Sequence, residues 1–270
     1  MTSNMINVTD IACFVYCKRK LYLKRVLGLK PKPTKQMITG RIKHQAQELM
    51  FKNELQTLKK LKIPDPDKIR DVLKKNLEHA IEKTIAASEK EIKHFQIDTS
   101  LIKKEFFLAY EKFIQNRAMV VINLMQRKNL FGKALINALY PRFMTEVSLS
   151  SKSLPLKGKI DLIEEHKNEI VPIEIKTGPA PKNKIWPQDR IQLTAYALLV
   201  KENFEKPVSY AKIIYQENHE IKLYLNPFMQ YEIKSYISKV KDLLASKNPP
   251  PRINSKKCSY CSFKEHCEAI

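Results

Sequence analysis

The sequence predicts an α/β protein: a mixed, mainly antiparallel sheet flanked by helices, carrying a long helical insert and closed by a cysteine-rich tail. Two observations support this. Up to about residue 140 the apolar residues recur at helical spacing, whereas from Arg142 onward short runs rich in β-branched residues alternate with turn signals. One helical stretch, 188–203, then falls between strand-like runs, the pattern of a sheet crossed by a helix. The chain has 270 residues, enough for a sizeable core, and residues 1–270 are read as one domain.

In chain order, residues 9–28 form a short helical region of interleaved basic and aromatic side chains, ended by Gly28. LKPKPTKQ (29–36) is a Pro/Lys loop. From about Gly40 to Leu61 the spacing of Ile42, Ala46, Leu49, Met50, Leu55 and Leu58 is helical, and IPDPDK breaks it. Residues 67–95 and 101–130 are two further long helices, so that 50–140 make up the helical insert. RFMTEVSLS (142–150), LKGKIDLIE (156–164) and EIVPIEIKT (169–177) are strands. The crossing helix follows, then strands at 208–216 and 220–226, a helix at 227–247, and a proline-marked boundary before the tail at 248–270.

Hydrophobic residues make up 43% of the chain, too many for a disordered protein. No apolar segment follows the N-terminus in the manner of a signal peptide, and no apolar run is long enough to span a bilayer. The expectation is a cytoplasmic protein with no membrane partner. Lys and Arg number 49 against 28 Asp and Glu, a net charge of +21. Residues 1–60 alone hold 13 basic and 3 acidic residues. Such a field favours a polyanion, above all nucleic acid.

The stretch VPIEIKTGPA (171–180) carries the chemistry. Val171, Ile173 and Ile175 make it a strand, stopped by Thr177-Gly178-Pro179, yet Glu174 and Lys176 lie two apart and so share one face. The preceding turn centres near His166–Asn168. If Glu165 pairs with Ile170, Asp161 falls opposite Glu174, with Cβ atoms roughly 5 Å apart. Two carboxylates at that distance repel unless a cation separates them, and a hard divalent ion, Mg²⁺ or Mn²⁺, takes such oxygens. Lys176 beside them can orient a water or stabilise charge on a phosphate. Gly158, three residues before Asp161, permits close backbone approach. Upstream, GRIKH sets His44 near a helix start; downstream, Gln192 and Tyr196 lie four apart on one helical face.

Each piece is common alone. The ordered set, G-x-x-x-H, G-x-x-D, E-x-K and Q-x-x-x-Y, resembles the RecB-like branch of the PD-(D/E)XK nuclease superfamily. The resemblance implies a restriction-endonuclease-like core in which His44, Asp161 and Glu174 ligand the metal and Lys176 assists catalysis. Gln192 and Tyr196 become an accessory pair that contacts DNA or supports the site. Basic N-terminal residues such as Arg19 would draw in the DNA backbone, and Tyr22 and Trp186 would stack unpaired bases, although Trp186 reads equally well as a core anchor.

The five cysteines sit at the two ends of the chain: Cys13 and Cys17, then Cys258, Cys261 and Cys267. Three thiolates in one short tail need a fourth from elsewhere, and either N-terminal cysteine can supply it. Four thiolates suit structural zinc or an iron–sulfur cluster, and spacing does not decide between them. The pattern resembles the iron–sulfur subgroup of RecB-like nucleases, whose N-terminal cysteine precedes a basic stretch. Cys17-Lys18-Arg19 matches except that Lys18 replaces proline. The resemblance therefore implies a cluster, 4Fe-4S by expectation, on Cys17, Cys258, Cys261 and Cys267, with Cys13 left over.

Within that subgroup the chain resembles the CRISPR-associated exonucleases, the fourth Cas protein family. This implies a metal-dependent DNA exonuclease acting on single-stranded or frayed ends, trimming fragments before the integrase of the first and second Cas proteins inserts them. A repair or viral exonuclease, a DNA-binding subunit with a weak site, and a zinc-stapled RNA-binding module are the alternatives.

Overall fold

The computed structural model describes residues 5–182, 184–215 and 219–270. A two-residue strand β1 (Ile6–Asn7) leads into α1 (Val8–Tyr16) and α2 (Lys18–Arg25), which break at the extended Cys17. The insert follows as α3 (Lys35–Leu58), α4 (Pro66–Ala87), α5 (Glu89–His94), α6 (Thr99–Lys128) and α7 (Gly132–Ala138). Side-chain caps set where these helices start. Thr34 accepts from the Met37 N–H, Asp65 from those of Asp67 and Lys68, and Asp98 from Ser100 and Leu101. The Thr34 cap explains why α3 begins five residues before the Gly40 expected from apolar spacing. The helix expected over 67–95 instead breaks at Ser88.

Strands β2 (Arg142–Ser150), β3 (Leu156–Glu165) and β4 (Ile170–Ile175) form an antiparallel meander, with Glu165 paired to Ile170 as the turn chemistry predicts. Helix α8 (Pro187–Asn203) crosses to β5 (Tyr210–Ile214), which runs parallel to β4 and antiparallel to β6 (Glu220–Tyr224). Of the strand expected over 208–216, Gln216 lies outside the described residues. Helix α9 (Phe228–Ala245) and a short α10 (Lys264–Glu268) close the chain. Strand β1 pairs in parallel with the start of β3. Because β2 runs along β3 throughout, β1 and β4 share the opposite edge of β3 and leave Gly158 to Asp161 between them.

The sheet separates two apolar cores. Val171, Ile173 and Leu162 face α3, α4, α6 and α7, whereas Ile160, Ile163, Ala211 and Ile213 face α1, α8 and α9. The alternation that produces two such faces is broken once in β2 and once in β3. Phe143 packs with the first core while Val147 and Leu149, on the same parity, pack with the second. Opposite them, Ile160 and Ile163 both face the second core although they differ by three residues. Among the described residues no helix is long and apolar enough to cross a membrane.

Candidate active site

A cleft of about 510 Å³ opens where α3 and α1 approach the edge of β3 and the end of β4. Two glycines set the approach. A Cβ on Gly40 would lie 3.1 Å from the Thr177 hydroxyl, so α3 meets the loop after β4 closely enough to bring His44 over the strands. A Cβ on Gly158 would lie 2.8 Å from the ring of Tyr196 and 2.9 Å from Val8, so the glycine lets α8 and α1 press onto β3. His44 Nδ1 then lies 3.8 Å from Asp161 Oδ2, which also accepts the Ile175 N–H at 3.1 Å.

Glu174 and Lys176 both turn away from the apolar row of Val171, Ile173 and Ile175, toward α8. Gln192 spans the pair: its Nε2 donates to Glu174 Oε1 at 2.8 Å and its Oε1 accepts from Lys176 Nζ at 2.9 Å. The same amide group donates to the Tyr196 hydroxyl at 3.2 Å. Lys176 Nζ is 2.7 Å from Glu174 Oε1 and 3.7 Å from Asp189 Oδ1. Asp189 is itself held by the Tyr215 hydroxyl at 2.9 Å. Glu174 is 4% exposed, and its second oxygen, Oε2, is buried with no donor. A buried acceptor without a partner is costly unless a cation or proton meets it.

Burial pushes the carboxyls of Asp161 and Glu174 well above the ordinary carboxylate range; Lys176 opposes the rise at both, and each lies within hydrogen-bonding reach of the other. Burial alone would lower the Lys176 ammonium, but Glu174 and Asp189 outweigh it and hold the group above the usual lysine value. Its surroundings thus favour the ammonium form, a positive charge beside Glu174 and Asp189. These donors fit a divalent ion: His44, Asp161 and also Glu146 offer ligand atoms all within 4.8 Å of one another, and Glu174 brings a carboxyl beside them.

At the far ends of the chain, Cys17, Cys258, Cys261 and Cys267 line one small cavity of about 40 Å³, walled by Leu23 and Phe263. The tail is tied to the loop after α2 by an ion pair of Lys32 with Glu265 and the bond from the Lys32 N–H to the Ser262 carbonyl at 3.3 Å, and to the end of α1 by Lys257 on the Tyr16 carbonyl. Among the described residues no three of these sulfurs fall within 4.8 Å of one another. Cys13 does not line the cavity; it packs against the second core, where burial raises its thiol.

The family model described as the PD-(D/E)XK nuclease superfamily matches residues 5–268. The chain belongs to the PD-(D/E)XK nuclease superfamily. A CRISPR-associated exonuclease Cas4/endonuclease Cas1 fusion of Myxococcus xanthus is 31% identical over 128 residues, 45% of this chain and 22% of the relative. The CRISPR-associated exonucleases Cas4 of Francisella tularensis subsp. novicida and Thermoproteus tenax are 26% and 25% identical over 122 and 126 residues. These matches cover 45% and 46% of this chain, and 60% and 66% of the relatives. The chain thus spans less than a quarter of the length of the fusion relatives from Myxococcus xanthus and Leptospira interrogans.

Within this PD-(D/E)XK chain the six positions of the ordered motif set, 44, 161, 174, 176, 192 and 196, all line the one cleft. The residues expected to touch DNA divide. Tyr22 is 3% exposed with its hydroxyl on the Lys247 carbonyl at 2.8 Å, so its ring offers no face to a base. Arg19 is buried and donates to the Pro250 carbonyl at 2.7 Å, which makes it a tie between α2 and the tail. Gln192 and Tyr196 are buried and support the site from below. Trp186, 44% exposed at the start of α8, is no core anchor, and its indole N–H donates to the Pro179 carbonyl at 3.2 Å. Sequence reasoning missed two residues of the site. Asp189, a first-turn acid two residues after the Pro187 that opens α8, carried only the signal of a helix start. Glu146 carried none.

Proposed function

We propose that the cleft is the active centre of a metal-dependent DNA exonuclease that degrades single-stranded or frayed ends. The observation that carries this is the buried Glu174. One oxygen is locked by Lys176 and Gln192 and the other lacks a donor, beside Asp161 and within a cleft that His44 also lines. In this reading His44, Asp161 and Glu174 hold the ion, and Mg²⁺ or Mn²⁺ in that position supplies Lewis acidity to a phosphoryl oxygen and a bound water of lowered pKa. Lys176, kept protonated, stabilises the charge that develops on the phosphate. Gln192 fixes the distance between that ammonium and Glu174, and Tyr196 fixes Gln192. Arg41 and Lys159 on the cleft wall attract the DNA backbone, and Trp186 stacks an unpaired base.

The four cysteines hold an iron–sulfur cluster, 4Fe-4S, that staples the chain ends. All four thiols line one cavity, the placement that a group held by four thiolates requires. Relatives whose names join Cas4 to the endonuclease Cas1 support a role beside an integrase of Cas1 and Cas2, trimming DNA before its insertion.

Incubation of 5′- and 3′-labelled single-stranded and duplex DNA with Mn²⁺ tests the reading. The wild type is expected to shorten single strands from an end, and Lys176→Ala to lose roughly a hundredfold or more of that rate. Equal cleavage by both proteins overturns the role of Lys176, and no cleavage by the wild type overturns the nuclease reading. Anaerobically purified protein is expected to be brown; a colourless, zinc-containing sample contradicts the cluster.

A further inference from the structure

We propose that Glu146 is a ligand of the divalent metal ion, acting with His44 and Asp161. The inference rests on the metal-centre reading above and extends its donor set.

Glu146 lies in the middle of β2, directly opposite Asp161 in the register that pairs Thr145 with Leu162 and Val147 with Ile160. These two residues are the one opposed pair left out of that ladder, and they sit at the level where both strands change faces. The cause is in the backbone: Glu146 has φ +55°, the left-handed region that a residue with a Cβ rarely adopts inside a strand. The turn of the chain brings its carboxylate to within 4.8 Å of the donor atoms of His44 and Asp161. A strand needing only a twist there would be served better by glycine, which takes this φ without strain. Glutamate at this position sets a carboxylate against another carboxylate, an arrangement that favours a cation between them.

The second observation lies on the other flank of Asp161. The buried Glu174 Oε2 accepts no hydrogen bond and lies beside Asp161, so the same cleft holds a second carboxylate oxygen without a donor. The competing account is that Glu146 serves only its ion pair with Lys159. That lysine is 59% exposed and free to follow solvent, so it supplies a counter-charge while no ion is bound and leaves the carboxylate available when one arrives.

Calorimetric titration of the full chain with Mn²⁺, without DNA, separates these accounts. Glu146→Gln and Glu146→Gly are expected to weaken Mn²⁺ binding at least about tenfold, since even an outer-shell partner of a metal is worth about 10–100-fold. Glu146→Gly relieves the backbone and is expected to melt at or above the wild-type temperature, so its loss of binding is not a loss of fold. Lys159→Ala is expected to bind Mn²⁺ as tightly as the wild type or more tightly. Wild-type affinity in Glu146→Gly, or an equal loss in Lys159→Ala, overturns the assignment while leaving the metal centre standing. Failure of the wild type to bind Mn²⁺ removes the centre itself.

Discussion

At the scale of single residues, the cleft works by placing charges where water cannot screen them. Glu174 is buried and Asp161 half-buried close beside it, so each resists ionisation and a proton or a cation must stand in for the missing solvent. A carboxyl whose folded pKa exceeds its unfolded value near 4 stabilises the fold below that value and loses the contribution as pH rises through the folded pKa, here up to about 7. Without metal, this pair should therefore favour acidic pH. Metal binding runs the other way, because it requires both groups ionised and His44 neutral. The rise in melting temperature caused by a fixed Mn²⁺ concentration is expected to be large at pH 7.5 and small at pH 5.5, with affinity roughly tenfold or more weaker at the lower pH. Scanning calorimetry at the two pH values reads this directly, and an equal rise at both contradicts the site.

At the scale of elements, the site depends on strands whose register the sequence could state and on helices whose depth it could not. The Asp161–Glu174 opposition follows from the four residues, 166–169, that join β3 to β4 and from the register that pairs Glu165 with Ile170, both of which are local. The pairing of Gly158 with Tyr196 was visible only as two motifs; that the glycine makes room for the ring is a tertiary fact. Glu146 was illegible because no residue in TEVSLS signals a left-handed turn of the backbone. Arg19 and Tyr22 were misread because a basic, aromatic helix looks the same whether its face meets DNA or the chain's own tail. The insert is tied to the sheet by a buried pair that sequence reasoning also passed over. Arg117 of α6 meets Glu54 of α3 through two bonds of 2.7 and 2.8 Å, reaches the Pro141 carbonyl at 2.8 Å, and lies over the Phe143 ring. Both side chains are almost fully buried, so removing one strands the other's charge. Arg117→Met is expected to cost about 3–5 kcal/mol in urea unfolding, and the double change Glu54→Leu with Arg117→Met to recover most of it. A double variant no more stable than the single one would show that the charges are not what holds the insert there.

At the scale of the whole molecule, the sheet divides two cores and the cleft lies where elements belonging to both meet. His44 comes from α3 on the insert side, Gln192 and Tyr196 from α8 on the other, and the acids from the strands between them. The chain ends meet on α2, where the cysteine cavity lies. The net charge of +21 gives the whole surface a bias toward polyanions, within which the cleft is a local concentration of acid. That contrast is the core of the account: Lys176 meets only one oxygen of the buried Glu174, and a cation between its other oxygen and the half-buried Asp161 would complete the pair. Anomalous diffraction from crystals soaked in Mn²⁺ tests this most directly. The account predicts a manganese peak within bonding distance of His44 and of the carboxylates of Asp161 and Glu174; a cleft without a peak at saturating Mn²⁺, or a peak that touches none of these side chains, would contradict it.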